Sequence, residues 1–83
     1  MNKEEIEVKT IKIIADIFGK QPSEITRETS FTDDLQSSSM TMLALIAALS
    51  GEFGIKISQS EVQENKTVGQ AIDWIAQKLE ESN

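Results

Sequence analysis

Three consecutive serines, Ser37, Ser38 and Ser39, stand directly before the apolar stretch that starts at Met40, and their hydroxyl groups are the best candidates for chemistry in this sequence. One interpretation is structural, because serine is among the best N-cap residues and its side-chain oxygen accepts a hydrogen bond from an unpaired first-turn amide. The serines also end a polar segment, residues 20–38, and loops of this length are uncommon and often functional. The segment is either a binding or modification region or a connector held to the core.

Other kinds of chemistry are excluded by two missing residue types, since the 83 residues include neither cysteine nor histidine. Nucleophilic catalysis by serine–histidine or cysteine–histidine pairs, thiolate zinc sites and imidazole ligation are therefore impossible. Disulfides are impossible as well, so nothing indicates an oxidising compartment. We predict that the chain is not an enzyme, has no catalytic residue and no metal site, and depends on another protein for any catalysis.

Composition limits the fold and the partners. A chain with 39% hydrophobic residues and this length suffices for one small domain, which we place at residues 1–83. The net charge of -6 repels phosphate backbones and anionic membrane surfaces. The start lacks the apolar core of a secretory signal, and the longest apolar run, residues 42–49, is too short to span a bilayer. We expect a cytoplasmic monomer that binds no nucleic acid and inserts into no membrane.

Helical periodicity dominates the first two thirds of the chain. Isoleucines and other apolar residues recur along one stripe from Lys3 to Phe18, and Gly19 is placed as the C-cap glycine of that helix. A second helix is predicted from Ser39 to Phe53, with an inward face at i, i+3, i+4, i+7 and i+11: Met42, Leu45, Ile46, Leu49 and Phe53. The loop between the two helices carries three isolated apolar anchors, Ile25, Phe31 and Leu35.

Two capping-box patterns mark helices in the last third. Ser60 followed by Gln63 predicts the start of a short third helix, and Thr67 followed by Gln70 predicts the start of the last one. The apolar face of the last helix consists of Val68, Ala71, Ile72, Ile75 and Leu79. The chain is therefore predicted to be an all-α bundle of four helices, with a long loop between helices one and two and a short third helix.

An ordered set of residues across nearly the whole chain resembles the acyl carrier protein family. The pattern consists of Phe31-x-x-Asp34-Leu35-x-x-x-Ser39-Met40, Leu45, Leu49, Glu52-Phe53, Ile57, Thr67-Val68 and the run from Ala71 to Ile75. The chain also has the length and the acidity of that family. The resemblance implies the four-helix fold with a long first loop, in agreement with the periodicity.

The resemblance implies a swinging-arm carrier whose attachment residue is Ser39. In the family, a separate magnesium-dependent phosphopantetheinyl transferase moves 4'-phosphopantetheine from coenzyme A to a serine at the start of helix two. The terminal thiol of that arm holds an acyl group as a thioester for separate enzymes, such as a ligase or a ketosynthase, in fatty acid, polyketide or related metabolism. A phosphodiester at a helix start also meets unpaired amides and the positive end of the helix dipole.

The sequence departs from the family at two places. The usual Asp-Ser-Leu, with a glycine two residues before the aspartate, is replaced by Ser38, Ser39 and Met40, with Gln36 at the glycine position. Helix two also keeps only one acidic residue, Glu52, whereas family members typically present an acidic helix two to basic patches on their enzymes. Its outer face is apolar instead, which predicts a docking surface formed by Met40, Leu43, Ala44 and Ala47. The alternative is that the alanines are simply good helix formers and that Met40 folds over the core.

By analogy with the family, an acyl chain inside the bundle would be lined by Leu43, Ile46, Ile57, Ala71 and Ile75. Two alternatives to an acyl carrier remain, an aminoacyl or peptidyl carrier and an unmodified helical adaptor that acts through protein–protein contacts. The variant Ser39→Ala separates the adaptor from a carrier, because only a carrier needs this hydroxyl. A carrier with this substitution is expected to remain folded, apart from a capping penalty of roughly 1 kcal/mol.

Overall fold

The computed structural model describes residues 2–81, and this part of the chain contains four α-helices and no strand. The helices are α1 (Lys3–Phe18), α2 (Ser39–Phe53), α3 (Gln59–Gln63) and α4 (Val68–Glu81). The segment between α1 and α2 includes one turn of 3₁₀ helix, Pro22–Glu24. The predicted all-α fold, its long first loop and its short third helix are confirmed. The extent of one domain over residues 1–83 stays a prediction, and residues 1, 82 and 83 lie outside the described part.

The core lies where α1 packs against α2 and α4. The side chains at its centre are almost fully buried, and Ile14, Ile72 and Ile75 have no exposed surface at all. The inward face predicted for α2 is only half confirmed: Leu45, Leu49 and Phe53 are buried, whereas Met42 and Ile46 are partly exposed. In residues 2–81, none of the helices has the length and apolar character needed to cross a bilayer.

The ends of α1 follow from local sequence. The Asn2 side-chain oxygen accepts a hydrogen bond from the Glu5 amide at 2.8 Å, which caps the amino end. At the other end Gly19 adopts φ 67° and ψ 36°, and its amide donates to the Ala15 carbonyl. This left-handed conformation is readily available to glycine, so the predicted C-cap is confirmed.

The predicted cap of the third helix is wrong by two residues. The N-cap is Ser58, whose hydroxyl accepts from the Glu61 amide at 3.3 Å while the Glu61 carboxylate accepts from the Ser58 amide at 3.1 Å. A carboxylate returns a stronger, charge-assisted bond than the amide of Gln63 would, so Ser58 and Glu61 form the capping box rather than Ser60 and Gln63. Hydrogen bonds from Ser58, together with Lys78, hold the pKa of Glu61 below its ordinary value.

The prediction for the start of α4 is confirmed for Thr67 but wrong for Gln70. The Thr67 hydroxyl accepts from the Gln70 amide at 3.3 Å, as expected of the N-cap. The Gln70 side chain, however, accepts from the Lys66 amide at 2.7 Å, so it binds one residue before the position that a capping box requires. This contact holds the backbone at Lys66 against the first turn of α4.

The long loop is held to the core by its apolar side chains and by backbone hydrogen bonds to the start of α4. Ile25, Phe31 and Leu35 are all buried, which confirms the predicted anchors. The Phe31 amide donates to the Lys66 carbonyl at 3.1 Å, and the Gly69 amide donates to the Arg27 carbonyl at 2.8 Å. The loop is therefore held against the core and the start of α4 by these contacts, and it leads directly into the serines at the start of α2.

Candidate functional site

At the end of the serine run, Ser38 and Ser39 have different roles in the start of α2. Ser38 is the N-cap of α2, and its hydroxyl accepts from the Thr41 amide at 3.3 Å. The Thr41 hydroxyl returns a bond by accepting from the Ser38 amide at 2.7 Å. Ser39 is the first helical residue and is exposed, and its hydroxyl has no hydrogen-bond partner among residues 2–81. The cap is thus Ser38, and the hydroxyl of Ser39 is left available.

The expected capping penalty for Ser39→Ala is therefore wrong. A residue at the first helical position does not accept the bond that an N-cap accepts, because its own backbone is already helical. Loss of the Ser39 hydroxyl removes no hydrogen bond from the described structure. A functional effect of the substitution can then be read without a large effect on folding.

A tight turn before the serines sets the position of Ser39. Its backbone is held by a bond from the Leu35 amide to the Ser30 carbonyl at 3.0 Å and by one from the Ser37 amide to the Phe31 carbonyl at 2.9 Å. Between these bonds Gln36 has φ 52°, a left-handed conformation that favours glycine. This conformation explains physically why the family signature has glycine at the position of Gln36.

The amino end of α2 is electrostatically suited to an anion. Its first turn contains no acidic residue, so no side-chain charge offsets the unpaired amides and the positive end of the helix dipole. Ser38 has replaced the aspartate of the family without adding a charge. An anionic group on the Ser39 oxygen would lie next to this end of the helix.

A cleft of about 340 Å³ opens beside Ser39, between the end of the loop, the start of α2 and α3. Most of its lining residues are polar and uncharged, and the lining as a whole consists of Phe31, Thr32, Ser37, Ser38, Ser39, Met42, Gln59, Val62, Gln63, Asn65 and Lys66. Only Lys66 among them carries a charge. The chain thus offers a hydroxyl, a helix start and a cleft lined by polar and apolar side chains with one cation, a set that fits a phosphodiester followed by an amide-containing arm.

The predicted docking residues lie side by side on α2. Met40, Leu43, Ala44 and Ala47 have the spacing i, i+3, i+4 and i+7, and all four are exposed. Met40 is 81% exposed and Leu43 is 55% exposed, unusually large values for long apolar side chains. We call these four residues the outer face of α2.

One predicted role of Leu43 is wrong. A side chain that is 55% exposed on the outer face of α2 does not line a chamber inside the bundle. The other residues expected there by analogy do lie inward: Ala71 and Ile75 are buried, and Ile46 and Ile57 are partly buried.

Two residues of structural interest carried no recognisable signal in the sequence. Lys66 lines the cleft beside Ser39 although 27 positions separate them, and Arg27 joins the loop to two helices. Both positions depend on contacts between distant parts of the chain. In the described residues, no group of three or more acidic side chains is arranged to hold a metal ion.

Comparison with known proteins gives consistent similarities. The family model described as "Phosphopantetheine attachment site" matches residues 9–75. The chain is 41% identical over 76 residues to a protein named acyl carrier protein from Acidothermus cellulolyticus, covering 92% of this chain and 90% of that one. It is 40% identical over 75 residues to the acyl carrier protein of Porphyromonas gingivalis, covering 90% of this chain and 96% of that one.

A more specialised relative and a solved structure are also similar. The meromycolate extension acyl carrier protein of Mycobacterium tuberculosis is 39% identical over 83 residues, which cover 100% of this chain and 71% of the relative. The solved structure of the acyl carrier protein from Enterococcus faecalis superimposes with a TM-score of 0.78 at 32% identity, covering 94% of this chain and 99% of that one.

Proposed function

The chain belongs to the acyl carrier protein family, and we propose that its acyl group is held on a 4'-phosphopantetheine arm attached to Ser39. Members of the family are carriers rather than enzymes, and the match to the phosphopantetheine attachment model implies this prosthetic group. The observation that supports Ser39 is its exposed hydroxyl at the first residue of α2, which has no hydrogen-bond partner among residues 2–81, beside a Ser38 hydroxyl that is already engaged in capping.

The proposed attachment is a phosphoryl transfer that balances without any redox step. The Ser39 oxygen bonds to the pantetheine-side phosphorus of coenzyme A, and the phosphoanhydride bond breaks so that the nucleotide half leaves with the electron pair. The serine proton passes to a base of the transferase, because this chain has no histidine and no acidic residue in the first turn of α2. Magnesium and the catalytic groups belong to that enzyme.

The chain itself contributes position and electrostatics. The start of α2 offers unpaired amides and a positive dipole end to the phosphodiester. The Ser38 and Thr41 capping bonds keep this end of the helix formed while the Ser39 hydroxyl reacts. When bound, the arm supplies a thiol, which a chain without cysteine lacks, and that thiol holds the acyl group as a thioester.

Family members act with a phosphopantetheinyl transferase and with acyl-handling enzymes. For this chain we propose those partners in the cytoplasm, with a ligase or ketosynthase to load or use the acyl group, and with the chain acting as a monomer. The outer face of α2 is proposed as the surface that these enzymes contact. Because Lys9 pairs with Glu52 at 3.5 Å, no unpaired carboxylate of α2 is left to attract a basic patch. The surface of a partner enzyme that complements the outer face of α2 is therefore uncharged and apolar.

Measuring the intact mass of the protein after reaction with a transferase tests whether Ser39 is the attachment site. The purified protein is incubated with coenzyme A, magnesium and a broad-specificity phosphopantetheinyl transferase, beside Ser39→Ala and a matched control, Ser37→Ala. We expect a gain of one phosphopantetheinyl group in the wild type and in Ser37→Ala, and none in Ser39→Ala. A gain in Ser39→Ala would place the arm on another residue.

The variant Ser38→Asp restores the family residue and keeps a good N-cap. If the wild type is not modified but Ser38→Asp is, a dedicated transferase that accepts Ser38 is indicated. If neither protein is modified, the proposal fails and the unmodified adaptor is favoured. Aminoacyl or peptidyl cargo would instead appear as loading by an amino-acid-activating enzyme and not by an acyl ligase.

A further inference from the structure

The cleft beside Ser39 is a local exception to the acidic character of the chain. The sequence as a whole has a net charge of -6, yet the one charged side chain in the lining of this cleft is the cation Lys66. Ser39 lies in the same lining. A group that leaves Ser39 toward α3 therefore meets a positive charge and no carboxylate from the cleft wall.

The amide and the carbonyl of Lys66 are both hydrogen-bonded, which fixes the position of its Cα, and so the start of its side chain, at the cleft. Its amide donates to the Gln70 side chain at 2.7 Å, and its carbonyl accepts from the Phe31 amide at 3.1 Å. These bonds tie the residue both to the first turn of α4 and to the loop that ends at Ser39.

The ammonium group of Lys66 has hydrogen-bond donors that are available to an anion. Its one recorded bond is a long one of 3.4 Å to the Gln63 carbonyl. Lys3, Lys9, Arg27 and Lys78 each lie within salt-bridge distance of a carboxylate, whereas Lys66 has no such partner among residues 2–81. A lysine ammonium has three donors, so at least two remain for a ligand.

We propose that Lys66 binds the phosphodiester of the arm on Ser39 and that the cleft holds the first part of that arm against α3. This inference rests on the proposed function. The side-chain amides of Gln59, Gln63 and Asn65 line the same wall and make no side-chain hydrogen bond within the described residues, so they are available to the amides of the arm. Met42 and Val62 supply apolar contact in the same cleft. Lys66 is a positioning residue that biases the arm toward a docked state.

Phosphorus and proton NMR of the loaded protein test this inference. The wild type, Lys66→Gln and the control Lys56→Gln are loaded and their loading is verified by intact mass. Lys56 is also exposed and unpaired within the described residues but does not line the cleft. We expect a shifted phosphorus resonance in Lys66→Gln alone. Contacts between arm protons and the methyl groups of Met42 and Val62 should weaken about two- to fivefold, the change that loss of an exposed ion pair produces. Added salt should move the wild-type resonance toward that of Lys66→Gln.

The outcomes separate the two proposals. A loaded protein whose phosphorus resonance and arm contacts are the same with and without Lys66 overturns the role of Lys66 and leaves the proposed function intact. Equal changes in Lys66→Gln and Lys56→Gln also overturn it, because they would reflect net charge alone. Failure to load any serine in both the wild type and Ser38→Asp overturns the proposed function, and the role of Lys66 with it.

Discussion

Gln36 shows how a single backbone conformation accounts for a sequence signature. Within residues 2–81 it is the one non-glycine residue with positive φ, and it lies in the turn that delivers Ser39. Glycine adopts this conformation without the steric cost that a β-carbon imposes. This chain keeps the turn because Leu35 is buried and the backbone bonds on both sides hold it, although Gln36 is strained.

Replacing Gln36 with glycine should stabilise the fold. Relief of the left-handed strain outweighs the extra freedom that glycine gains in the unfolded chain, so Gln36→Gly is expected to raise the free energy of unfolding by roughly 0.5–1 kcal/mol. Urea denaturation measures this change. The control Gln36→Ala keeps the β-carbon and should give no such gain. A lower stability of Gln36→Gly would mean that the Gln36 side chain contributes more than its conformation costs.

At the scale of the element, α2 combines a fixed cap with an unusually apolar surface. Ser38 and Thr41 hold its amino end, and Gly54 ends it at φ 64°. Leu45, Leu49 and Phe53 are buried on its inner side while the outer face remains exposed. The helix therefore presents an exposed hydroxyl, that of Ser39, and an apolar surface from one rigid body.

The two adjacent serines should differ in their effect on stability. Ser38→Ala removes the N-cap and is expected to lower the free energy of unfolding by about 1 kcal/mol. Ser39→Ala removes no hydrogen bond and should change it by less than about 0.5 kcal/mol, as exposed substitutions do. Urea denaturation of both unmodified variants checks the difference, and Ser38→Asp should retain wild-type stability. A larger loss for Ser39→Ala than for Ser38→Ala would contradict the assignment of the cap.

A charge on the outer face of α2 should weaken recognition without unfolding the helix. We expect Leu43→Glu to lower kcat/KM for modification by a transferase about tenfold, because the apolar contact is lost and a carboxylate is desolvated at the interface. Val8→Glu is the matched control, since Val8 is 64% exposed on α1 and far along the chain from Ser39. If Leu43→Glu has no effect while Glu52→Lys abolishes modification, recognition depends on charge and the apolar surface is not the docking site.

At the scale of the whole molecule, Arg27 connects three segments through a network of ion pairs. Its guanidinium lies 3.0 Å from the Glu7 carboxylate on α1 and 2.8 Å from the Asp73 carboxylate on α4. Lys3 also contacts Asp73, at 2.9 Å. Hydrogen bonds from Lys3 first and Arg27 second hold the pKa of Asp73 below its ordinary value, and the two carboxylates raise the pKa of Arg27.

This network should make stability depend on pH in the acid range. Because the pKa of Asp73 is lower in the folded chain than in the unfolded chain, its contribution is complete above the unfolded value and is lost as pH falls through the folded value. Unfolding by urea should therefore become easier below about pH 4. Asp73→Asn should reduce that pH dependence and lower stability at neutral pH by less than about 1 kcal/mol, since the pairs are exposed to solvent.

Asp33→Asn is the control for this measurement, because the Asp33 carboxylate has no ion pair within the described residues. It should keep the pH dependence of the wild type. If Asp73→Asn and the wild type lose stability in parallel between neutral and acid pH, the network around Asp73 does not produce the effect.

The sequence by itself determined the helices whose signals are local. The stripe from Lys3 to Phe18 with Gly19 behind it, and the run from Ser39 to Phe53, coincide with α1 and α2 because periodicity and capping act within a few residues. The missing cysteine and histidine limited the chemistry before any fold was known. The order and spacing of residues over nearly the whole chain indicated the family.

Tertiary structure decided what depends on distant contacts. The rotation of α2 is one such feature, because a helix that is apolar on most sides does not show by periodicity that Leu43 faces outward. The left-handed Gln36 and the place of Lys66 beside Ser39 are others. The capping of α3 by Ser58 is not, because the box formed by Ser58 and Glu61 is a local pattern that the choice of Ser60 overlooked. The place of Lys66 follows from the packing of the loop on the start of α4, where the Phe31 amide donates to the Lys66 carbonyl. Packing between residues far apart in the chain leaves no local pattern to read.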